Sequence, residues 1–248
     1  MAEYRVKCPN CSKAFCTQCN KEPYHLGYTC EEAEKYANAS HCRFCLEELS
    51  QPSKSKVPAF RACCDQEECL KLANDCCPLK LPCGHFCRGV KGESKCLPCL
   101  EPECIEAYNK ANPRDKINDG YTESDYCGIC MTSGLGQEAC VRLGNCGHIF
   151  HYNCIKRKVE NKWPSPRMTF DFMSCSTCKT EISCPSNPDL HSFLSKLVDL
   201  KKMMEQKAVA KAKVEGIDKD PRLHDATFQG DLKKWAVFKC AFYQCYTC

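Results

Sequence analysis

Hydrophobic residues at helical spacing are concentrated in one segment near the carboxyl end of this 248-residue chain. Asp189 stands where an N-cap belongs, and Gly216 stands where a helix would end. The pattern therefore predicts a helix from about residue 189 to residue 215. Its apolar stripe contains Leu190, Phe193, Leu194, Leu197, Val198, Leu200, Met203 and Met204.

This stripe needs a partner surface. It could form a dimer seam, but the pattern is not sustained over the roughly three heptads that a coiled coil requires. We therefore expect the helix to pack on the neighbouring domain at residues 127–185. The basic residues of segment 196–213 are interpreted as the solvated face of the same helix.

Outside this helix, large aliphatic residues are sparse. Residues 31–39 predict a second, short helix, and residues 105–126 predict a polar connector rich in turn residues. No segment approaches the roughly 20 apolar residues of a membrane span, so no membrane partner is expected. Small modules bury little apolar surface, and metal binding must then supply much of their folding energy.

Cysteine content decides what stabilises these modules. The chain has 28 cysteines in 248 residues, above the roughly 8–10% that marks a cysteine-held scaffold. Zinc is favoured over the alternative, a secreted disulfide protein, because the cysteines recur as C-x2-C pairs and histidines lie among them. The chain also has no apolar run at its start that would indicate a signal peptide. We expect a reducing compartment, the cytoplasm or, as the alternative, the nucleus. The net charge of +4 is too small to indicate a nucleic-acid partner.

Eight candidate ligands lie in one stretch and form four pairs. A two-residue spacer lets both members of a pair reach one tetrahedral zinc at about 2.3 Å. The order of the pairs resembles a RING finger with two adjacent histidines, the RING-H2 type. The eight residues are Cys127, Cys130, Cys146, His148, His151, Cys154, Cys175 and Cys178.

The RING resemblance implies two interleaved zinc sites and a surface for an E2 ubiquitin-conjugating enzyme. It implies one ion on Cys127, Cys130, His151 and Cys154, and one on Cys146, His148, Cys175 and Cys178. Ile129 occupies the position that contacts the conjugating enzyme in RING families. Trp163 is the candidate aromatic wall, with a core tryptophan as the alternative. Lys179 stands where many RINGs place a bridging cation, and Ser176 where many have proline.

The first 41 residues resemble the back half of an in-between-RING module. Cys16, Cys19, His25 and Cys30 form a complete Cys3His set. Cys8 and Cys11 form only half a set, whose partners would lie upstream in that family. We therefore expect either a piece of a larger protein or, as the alternative, a single zinc knuckle with an unpaired C-x2-C.

Residues 42–104 contain thirteen candidate ligands, enough for roughly three zinc ions with one to spare. Their pairing stays open at this point. In the adjacent pairs Cys63–Cys64 and Cys76–Cys77, one member is expected to be a buried thiol. The predicted ligands are Cys42, Cys45, Cys83, His85, Cys87, Cys96 and Cys99.

A wider resemblance follows from the order C-x-F-C-L, C-G-H-F-C-x-G-V-K, C-L-P-C and a RING containing E-N-K-W-P-S-P-R-M-T-F-D-F-M-S-C. Over roughly residues 42–248 the chain is similar to the C-terminal region of the Highwire/Phr (Myc-binding protein 2-like) family of RING-Cys-relay E3 ubiquitin ligases. The resemblance implies zinc, ubiquitin, a conjugating enzyme and a protein substrate.

In that family a tandem-cysteine domain after the RING relays ubiquitin to threonine or serine hydroxyls. Here the resemblance stops at the first ligands of that domain, including Cys245 and Cys248, so relay cysteines are expected beyond the end of the chain. No catalytic cysteine is predicted within it. Cys140 and Cys184 lack an adjacent histidine and are expected to be inert.

The predicted fold is a series of small zinc-stabilised modules with irregular, short β and α elements, including a cross-brace RING, followed by one long helix. The alternative function is a zinc-dependent protein- or nucleic-acid-binding module. A plant-homeodomain reader is disfavoured, because Met173 and His148 stand where such readers have tryptophan and cysteine. The predicted domains are a zinc knuckle at 1–41, a Cys-rich module at 42–104, a linker at 105–126, the RING at 127–185, the helix at 186–217 and the start of a tandem-cysteine region at 218–248.

Overall fold

The fold was taken from a computed structural model, which describes residues 4–8, 14–22, 24–25, 29–38, 41–49, 63–114, 121–163 and 165–244. The strands within these ranges are β1 (Arg5–Lys7), β2 (Ala14–Cys16), β3 (Cys140–Arg142) and β4 (Ile149–His151). The helices are α1 (Cys30–Asn38), α2 (Glu67–Asp75), α3 (Pro102–Ala111), α4 (Tyr152–Glu160), α5 (Pro188–Val214) and α6 (Leu232–Lys239). No helix in this part of the chain is long and apolar enough to cross a membrane.

The chain divides into two compact units, Met1–Leu70 and Lys71–Cys248. In the first unit, β1 pairs antiparallel with β2, which places Arg5 opposite Cys16. The helix α1 covers the segment predicted to be helical, and the two acidic residues in its first turn suit the positive end of the helix dipole.

The core of the second unit lies between the β3–β4 hairpin and α4. Antiparallel pairing sets Cys140 opposite His151 and Arg142 opposite Ile149. The side chains of Ile149, Phe150 and Ile155 are fully buried. This small apolar layer fixes the backbone on which several candidate ligands lie.

A second hairpin-like segment precedes this core. Residues 76–80 run antiparallel to residues 86–90, with bridges at Cys76–Val90 and Lys80–Phe86. It docks on β3 through a hydrogen bond of 2.8 Å from the Cys140 N–H to the Arg88 carbonyl. The Arg88 guanidinium also pairs with the Glu123 carboxylate at 2.6 Å. Residues 76–90 therefore pack directly on the module at 127–185.

Part of the expected connector is helical. The helix α3 begins at Pro102, which suits the first turn because proline has no N–H to leave unpaired. Half-buried Ile105 and Tyr108 lie on one side of it at helical spacing. The sequence did not predict this helix, because only two apolar residues form its buried side and a polar segment follows residue 112.

The long helix α5 follows its prediction closely, with one correction at its start. The N-cap is Asn187, not Asp189, because the Asn187 side chain accepts the Leu190 N–H at 3.0 Å and Pro188 takes the first helical position. The helix ends at Val214 with Glu215 as its C-cap, and Gly216 follows with a φ of 71°, a conformation that glycine adopts without strain.

The second half of α5 packs on α6, a partner that the sequence did not predict. Ala208 and Ala212 of α5 meet Ala236 and Cys240 in a fully buried cluster. Small side chains let the two backbones approach closely. Beside them, Trp235 is 1% exposed and its indole N–H donates to the Ile217 carbonyl at 3.0 Å. The predicted fold class, small modules around Cys/His clusters with one long helix, is confirmed.

Candidate metal centres

At five or more places among the described residues, four Cys or His ligand atoms lie within 4.8 Å of one another. Two of these places lie in the module at 127–185. The first interleaved cluster consists of Cys127, Cys130, His151 and Cys154, and the second consists of Cys146, His148, Cys175 and Cys178. Ligand pairs one and three thus share one centre, and pairs two and four share the other. This is the pairing that the RING resemblance implies.

His151 supplies the most buried ligand of the first interleaved cluster. Its side chain is fully buried, and its Nε2 lies 3.0 Å from the Gly134 carbonyl oxygen. A nitrogen that donates to a carbonyl carries the ring proton, which leaves Nδ1 with its lone pair. Nδ1 lies 3.6 Å from the Cys130 sulfur and 3.9 Å from the Cys154 sulfur. The histidine is therefore held in the tautomer that binds a metal ion through Nδ1.

Two of the three sulfurs of this cluster, those of Cys127 and Cys130, are already disposed to ionise, whereas the hydrogen bond to Cys127 raises the pKa of Cys154. A hydrogen bond from Cys154 lowers the pKa of Cys127 to about 3, although burial opposes the shift. Burial also raises the pKa of Cys130, but N–H groups of Thr132 and Ser133 outweigh it and hold the pKa at about 6. Because the thiolate is the form that binds metal, these contacts favour an ion here.

The second interleaved cluster contains an unpaired nitrogen. His148 Nδ1 is buried and has no hydrogen-bond partner among the described residues. A buried polar atom without a partner is costly, and a metal ion at this centre would satisfy it. The hydroxyl and N–H of Thr180 lower the pKa of Cys178 to about 7. The donor set therefore fits a metal ion.

A backbone contact recurs at ligands of all these clusters. The sulfur accepts the N–H of the residue two positions further along, which lowers its pKa by stabilising the thiolate. Examples are Cys42 with Phe44, Cys83 with His85, Cys127 with Ile129, Cys146 with His148, and Cys178 with Thr180.

Two buried cysteines outside the clusters behave differently. The Cys140 thiol donates to the Leu135 carbonyl at 3.0 Å, and burial raises the pKa of Cys184 to about 12. A protonated thiol in a buried position is neither a good ligand nor a good nucleophile. This agrees with the expectation that both cysteines are inert.

Distances between ligand atoms set the size of the centres. Sulfur atoms are 3.7 Å apart in Cys45–Cys64 and 3.8 Å apart in Cys16–Cys30. A tetrahedral ion with sulfur at about 2.3 Å requires an edge of roughly 3.8 Å. A disulfide would instead require about 2.05 Å. The spacing therefore fits a shared ion of zinc size and excludes disulfides at these pairs.

The N-terminal cluster consists of Cys16, Cys19, His25 and Cys30, the Cys3His set predicted from the sequence. His25 Nε2 lies 3.2 Å from the Cys19 sulfur. Cys11 lies outside the described residues, so the half set of Cys8 and Cys11 stays a prediction.

The four-cysteine cluster consists of Cys42, Cys45, Cys64 and Cys69. The sequence predicted only the first pair. The C-x4-C spacing of Cys64 and Cys69 was the available signal, but the adjacent Cys63 made the choice ambiguous. Cys63 is 1% exposed and its thiol donates to the Cys64 carbonyl at 3.2 Å. One member of this adjacent pair is thus a ligand, and the other is a buried thiol.

The hairpin cluster consists of Cys83, His85, Cys99 and Cys104. Cys104, on α3, was missing from the predicted ligands. His85 Nδ1 lies 3.5 Å from the sulfurs of both Cys99 and Cys104. Two sequence motifs each supply only some of their residues to this cluster. Cys87 does not join the other ligands of C-G-H-F-C, and Cys96 does not join Cys99 of C-L-P-C. The C-terminal pair, Cys245 and Cys248, lies outside the described residues.

Two of the residues predicted to contact a conjugating enzyme lie near the interleaved clusters. Ile129 is half-buried between Cys127 and Cys130, and the neighbouring Met131 is 70% exposed. Trp163 is half-buried, and its ring meets the rings of Phe170 and Phe172 edge-on at 6.3 and 6.1 Å. Its N–H donates to the Gln244 side chain at 3.0 Å. Trp163 thus packs inward while part of its ring remains exposed.

The third such residue, Lys179, lies in a loop held by two lysines. Lys179 is exposed and its ammonium donates to the Ser176 carbonyl at 3.1 Å. The Lys158 ammonium donates to the Ser174 carbonyl at 2.7 Å and to the Ser176 hydroxyl at 2.9 Å. Burial, and then the charge of Lys179, lower the pKa of Lys158. Sequence reasoning missed Lys158, because nothing local links it to the loop.

No family model matches the chain. It is 33% identical over 210 residues to the E3 ubiquitin-protein ligase highwire of Drosophila melanogaster, a match that covers 84% of this chain. It is 32% identical over 222 residues to the E3 ubiquitin-protein ligase MYCBP2 of Danio rerio, a match that covers 88% of this chain. The chain spans 4% of the length of each of these relatives.

Proposed function

Because this chain belongs to a region of the Highwire and MYCBP2 family of E3 ubiquitin ligases, we propose that residues 127–185 form a RING finger that recruits a ubiquitin-charged conjugating enzyme. The observation that carries the proposal is the interleaving of the two ligand clusters of this module. A RING offers no nucleophile of its own. It accelerates transfer by holding the thioester-linked ubiquitin in a reactive arrangement.

The proposed ion is zinc, two in the RING and more upstream. Each four-ligand cluster offers sulfur donors, joined by an imidazole in every cluster but the four-cysteine one, and structural zinc prefers such sets with all four positions supplied by protein. Such closed sites fix loops in place. The proposal includes a reducing compartment, cytoplasm or nucleus, in which thiolates stay available to metal.

The surface for the conjugating enzyme is proposed to centre on Ile129. This side chain projects from the loop that carries Cys127 and Cys130, so both ligands hold it in position. The exposed Met131 extends the same apolar surface. Trp163 is a second contact, oriented by its hydrogen bond to Gln244. Lys179 is a weaker candidate, because its ammonium would have to leave the Ser176 carbonyl to reach a partner.

In the full-length protein, transfer is proposed to continue by a cysteine relay to threonine or serine hydroxyls of a protein substrate. The relay would use residues outside this chain. Cys140 and Cys184 offer no substitute, because both are fully buried. The residues of this chain would therefore bind and position, and the acceptor would be chosen elsewhere.

A single-turnover discharge assay tests this function. Ubiquitin-loaded conjugating enzyme is mixed with the chain, with Ile129→Ala, or with the control Val214→Ala, which truncates an 88% exposed apolar residue on α5. Free lysine, free threonine or no acceptor is supplied, and binding is measured in parallel.

We expect binding that Ile129→Ala weakens at least tenfold and Val214→Ala leaves unchanged. Faster loss of the thioester to lysine, sensitive to Ile129→Ala, would identify an active conventional ligase. Binding without acceleration would identify a recruiting segment whose chemistry lies in other residues. If neither binding nor discharge is detected across a panel of conjugating enzymes, the chain is instead a zinc-dependent binding module and the proposal is wrong.

A further inference from the structure

Three cysteines that none of the five four-ligand clusters includes meet at the open end of the hairpin formed by residues 76–80 and 86–90. The Cys96 sulfur hydrogen-bonds with the sulfurs of both Cys77 and Cys87. Cys77 and Cys87 also interact electrostatically with each other. The three side chains therefore lie beside one another, and we call them the three-cysteine cluster.

The backbone of this cluster has the geometry of a ligand loop. The Cys87 sulfur accepts the N–H of Gly89, two residues further along, at 3.3 Å. This is the contact that recurs in the four-ligand clusters. The Cys77 N–H bonds to the Gly89 carbonyl at 2.9 Å, which holds the two ligand segments side by side.

Glu93 supplies a fourth donor beside these sulfurs. Its Oε1 is buried and has no hydrogen-bond partner among the described residues, whereas Oε2 accepts the Val90 N–H at 3.1 Å. Cys96 interacts electrostatically with the same carboxylate. A Cβ placed on Gly89 would lie 2.8 Å from Glu93 Oε2 and 3.2 Å from the Cys87 sulfur. The carboxylate and the sulfur therefore border a common space, which a side chain at position 89 would fill.

We propose that Cys77, Cys87, Cys96 and the carboxylate of Glu93 hold a further zinc ion. Carboxylate oxygen is an accepted zinc ligand at about 2.0–2.2 Å, and three thiolates with one carboxylate complete a tetrahedral set. The ion satisfies the orphaned Oε1 and removes the repulsion among three neighbouring sulfurs. Lys95 and Arg142 line the cavity of about 190 Å³ that borders Glu93 and Cys96, and they offset the excess negative charge.

This site explains why Cys87 of C-G-H-F-C and Cys96 of C-L-P-C do not join the hairpin cluster. Cys99 lies with Cys83 and His85 at the turn of the hairpin, whereas Cys96 lies with Cys77 at its open end. A single ion cannot bind both Cys96 and Cys99. Each member of that C-x2-C pair therefore serves a different ion. The Ser94 N–H, next to Glu93, donates to the carbonyl of Ser186 at 2.8 Å, and Ser186 directly precedes Asn187, the N-cap of α5. The ion thus fastens the cysteine-rich hairpin to the start of the long helix.

The test is cadmium-113 NMR on the full chain after exchange of its metal, with metal counting by native mass spectrometry in parallel. Each site gives its own resonance, and the chemical shift depends on the number of sulfur ligands. The variants are Cys87→Ser and Glu93→Gln, with Cys140→Ser as the control for loss of a buried thiol outside any cluster. Glu93→Gln keeps all three sulfurs, so it still tests the site if loss of a sulfur unfolds the hairpin.

We expect Cys87→Ser to lower the metal count by one and to remove one resonance, while Cys140→Ser changes neither. Glu93→Gln should keep the count but move that same resonance and weaken cadmium binding there at least tenfold. An unchanged count in Cys87→Ser would overturn the site. A resonance that Glu93→Gln neither moves nor weakens would overturn the role of the carboxylate. Neither readout depends on ligase activity.

Discussion

Replacing Lys158 with methionine removes the contacts that hold the loop around the seventh ligand, Cys175. In the native protein the half-buried ammonium donates to the Ser174 carbonyl at 2.7 Å and to the Ser176 hydroxyl at 2.9 Å. Methionine keeps most of the apolar stem but has no donor. The Ser174 carbonyl then loses a charged partner on the side that faces α4.

The magnitude follows from these two bonds. Hydrogen bonds to charged groups contribute about 1.5–3 kcal/mol each when they are buried. Here the ammonium is partly accessible, so water replaces some of the lost interaction. Burial of the ammonium and repulsion from Lys179 already oppose the native contact, as the lowered pKa of Lys158 shows. We therefore expect a local loss of about 1–3 kcal/mol, which corresponds to a roughly 5- to 150-fold larger equilibrium constant for opening of the loop.

Amide hydrogen exchange on the zinc-loaded chain measures this opening. The reporting amides are Cys175, Lys179 and Ile182, which donate to the carbonyls of Thr180, Cys175 and Met173 at 2.7, 3.0 and 2.7 Å. Lys156→Met is the matched control, because this exposed lysine on the same helix lies over the ring of Tyr152 instead. It should change exchange in the loop by less than about twofold.

A double-mutant cycle with Ser176→Ala separates the two contacts. Ser176→Ala alone should cost less, because Lys158 keeps the Ser174 carbonyl, and the two substitutions should be less than additive. The reasoning is refuted if Lys158→Met leaves the three amides as protected as in the native chain. It is also refuted if the two substitutions add fully.

The remaining predictions concern the helix pair, one close approach and metal removal. Trp235→Ala should lower the free energy of unfolding, measured in urea, by about 3–5 kcal/mol. Phe238→Ala removes a ring that is 56% exposed and should lower it far less. Equal losses would contradict the placement of Trp235 in the core between α5 and α6. Gly144→Ala should lower the melting temperature because its Cβ would lie 2.9 Å from the Pro185 ring, and an unchanged melting temperature would show that the ring moves freely. A strong chelator should remove metal from the hairpin cluster, all of whose ligands are at least partly exposed, before it removes metal from the first interleaved cluster, in which Cys127 and His151 are buried. Exchange of the α3 amides follows the first loss. The reverse order would show that burial does not control metal release.

Much of this site could be predicted because chelation by closely spaced residues is local. Cys127 and Cys130 reach the same ion whatever the rest of the chain does, and the two-residue spacer records this directly. The long helix was equally predictable, since Gly216 marks its end, a capping residue marks its start and the apolar period marks its buried face. Its N-cap was misplaced by two residues, because both Asn187 and Asp189 can cap and only the hydrogen bond to Leu190 distinguishes them.

The sequence by itself determined which residues can bind metal, that they form small modules, and where the one long helix lies. These properties depend on residue type and on spacings of two to four positions. The tertiary structure alone decided which cysteines cluster together between residues 42 and 104, because it places Cys99 with Cys83, His85 and Cys104 and places Cys96 beside Cys77. It alone also placed α6 on α5 and Lys158 under the Ser174 loop. Such contacts join residues far apart in the chain, and no local pattern records which distant partner will close a site.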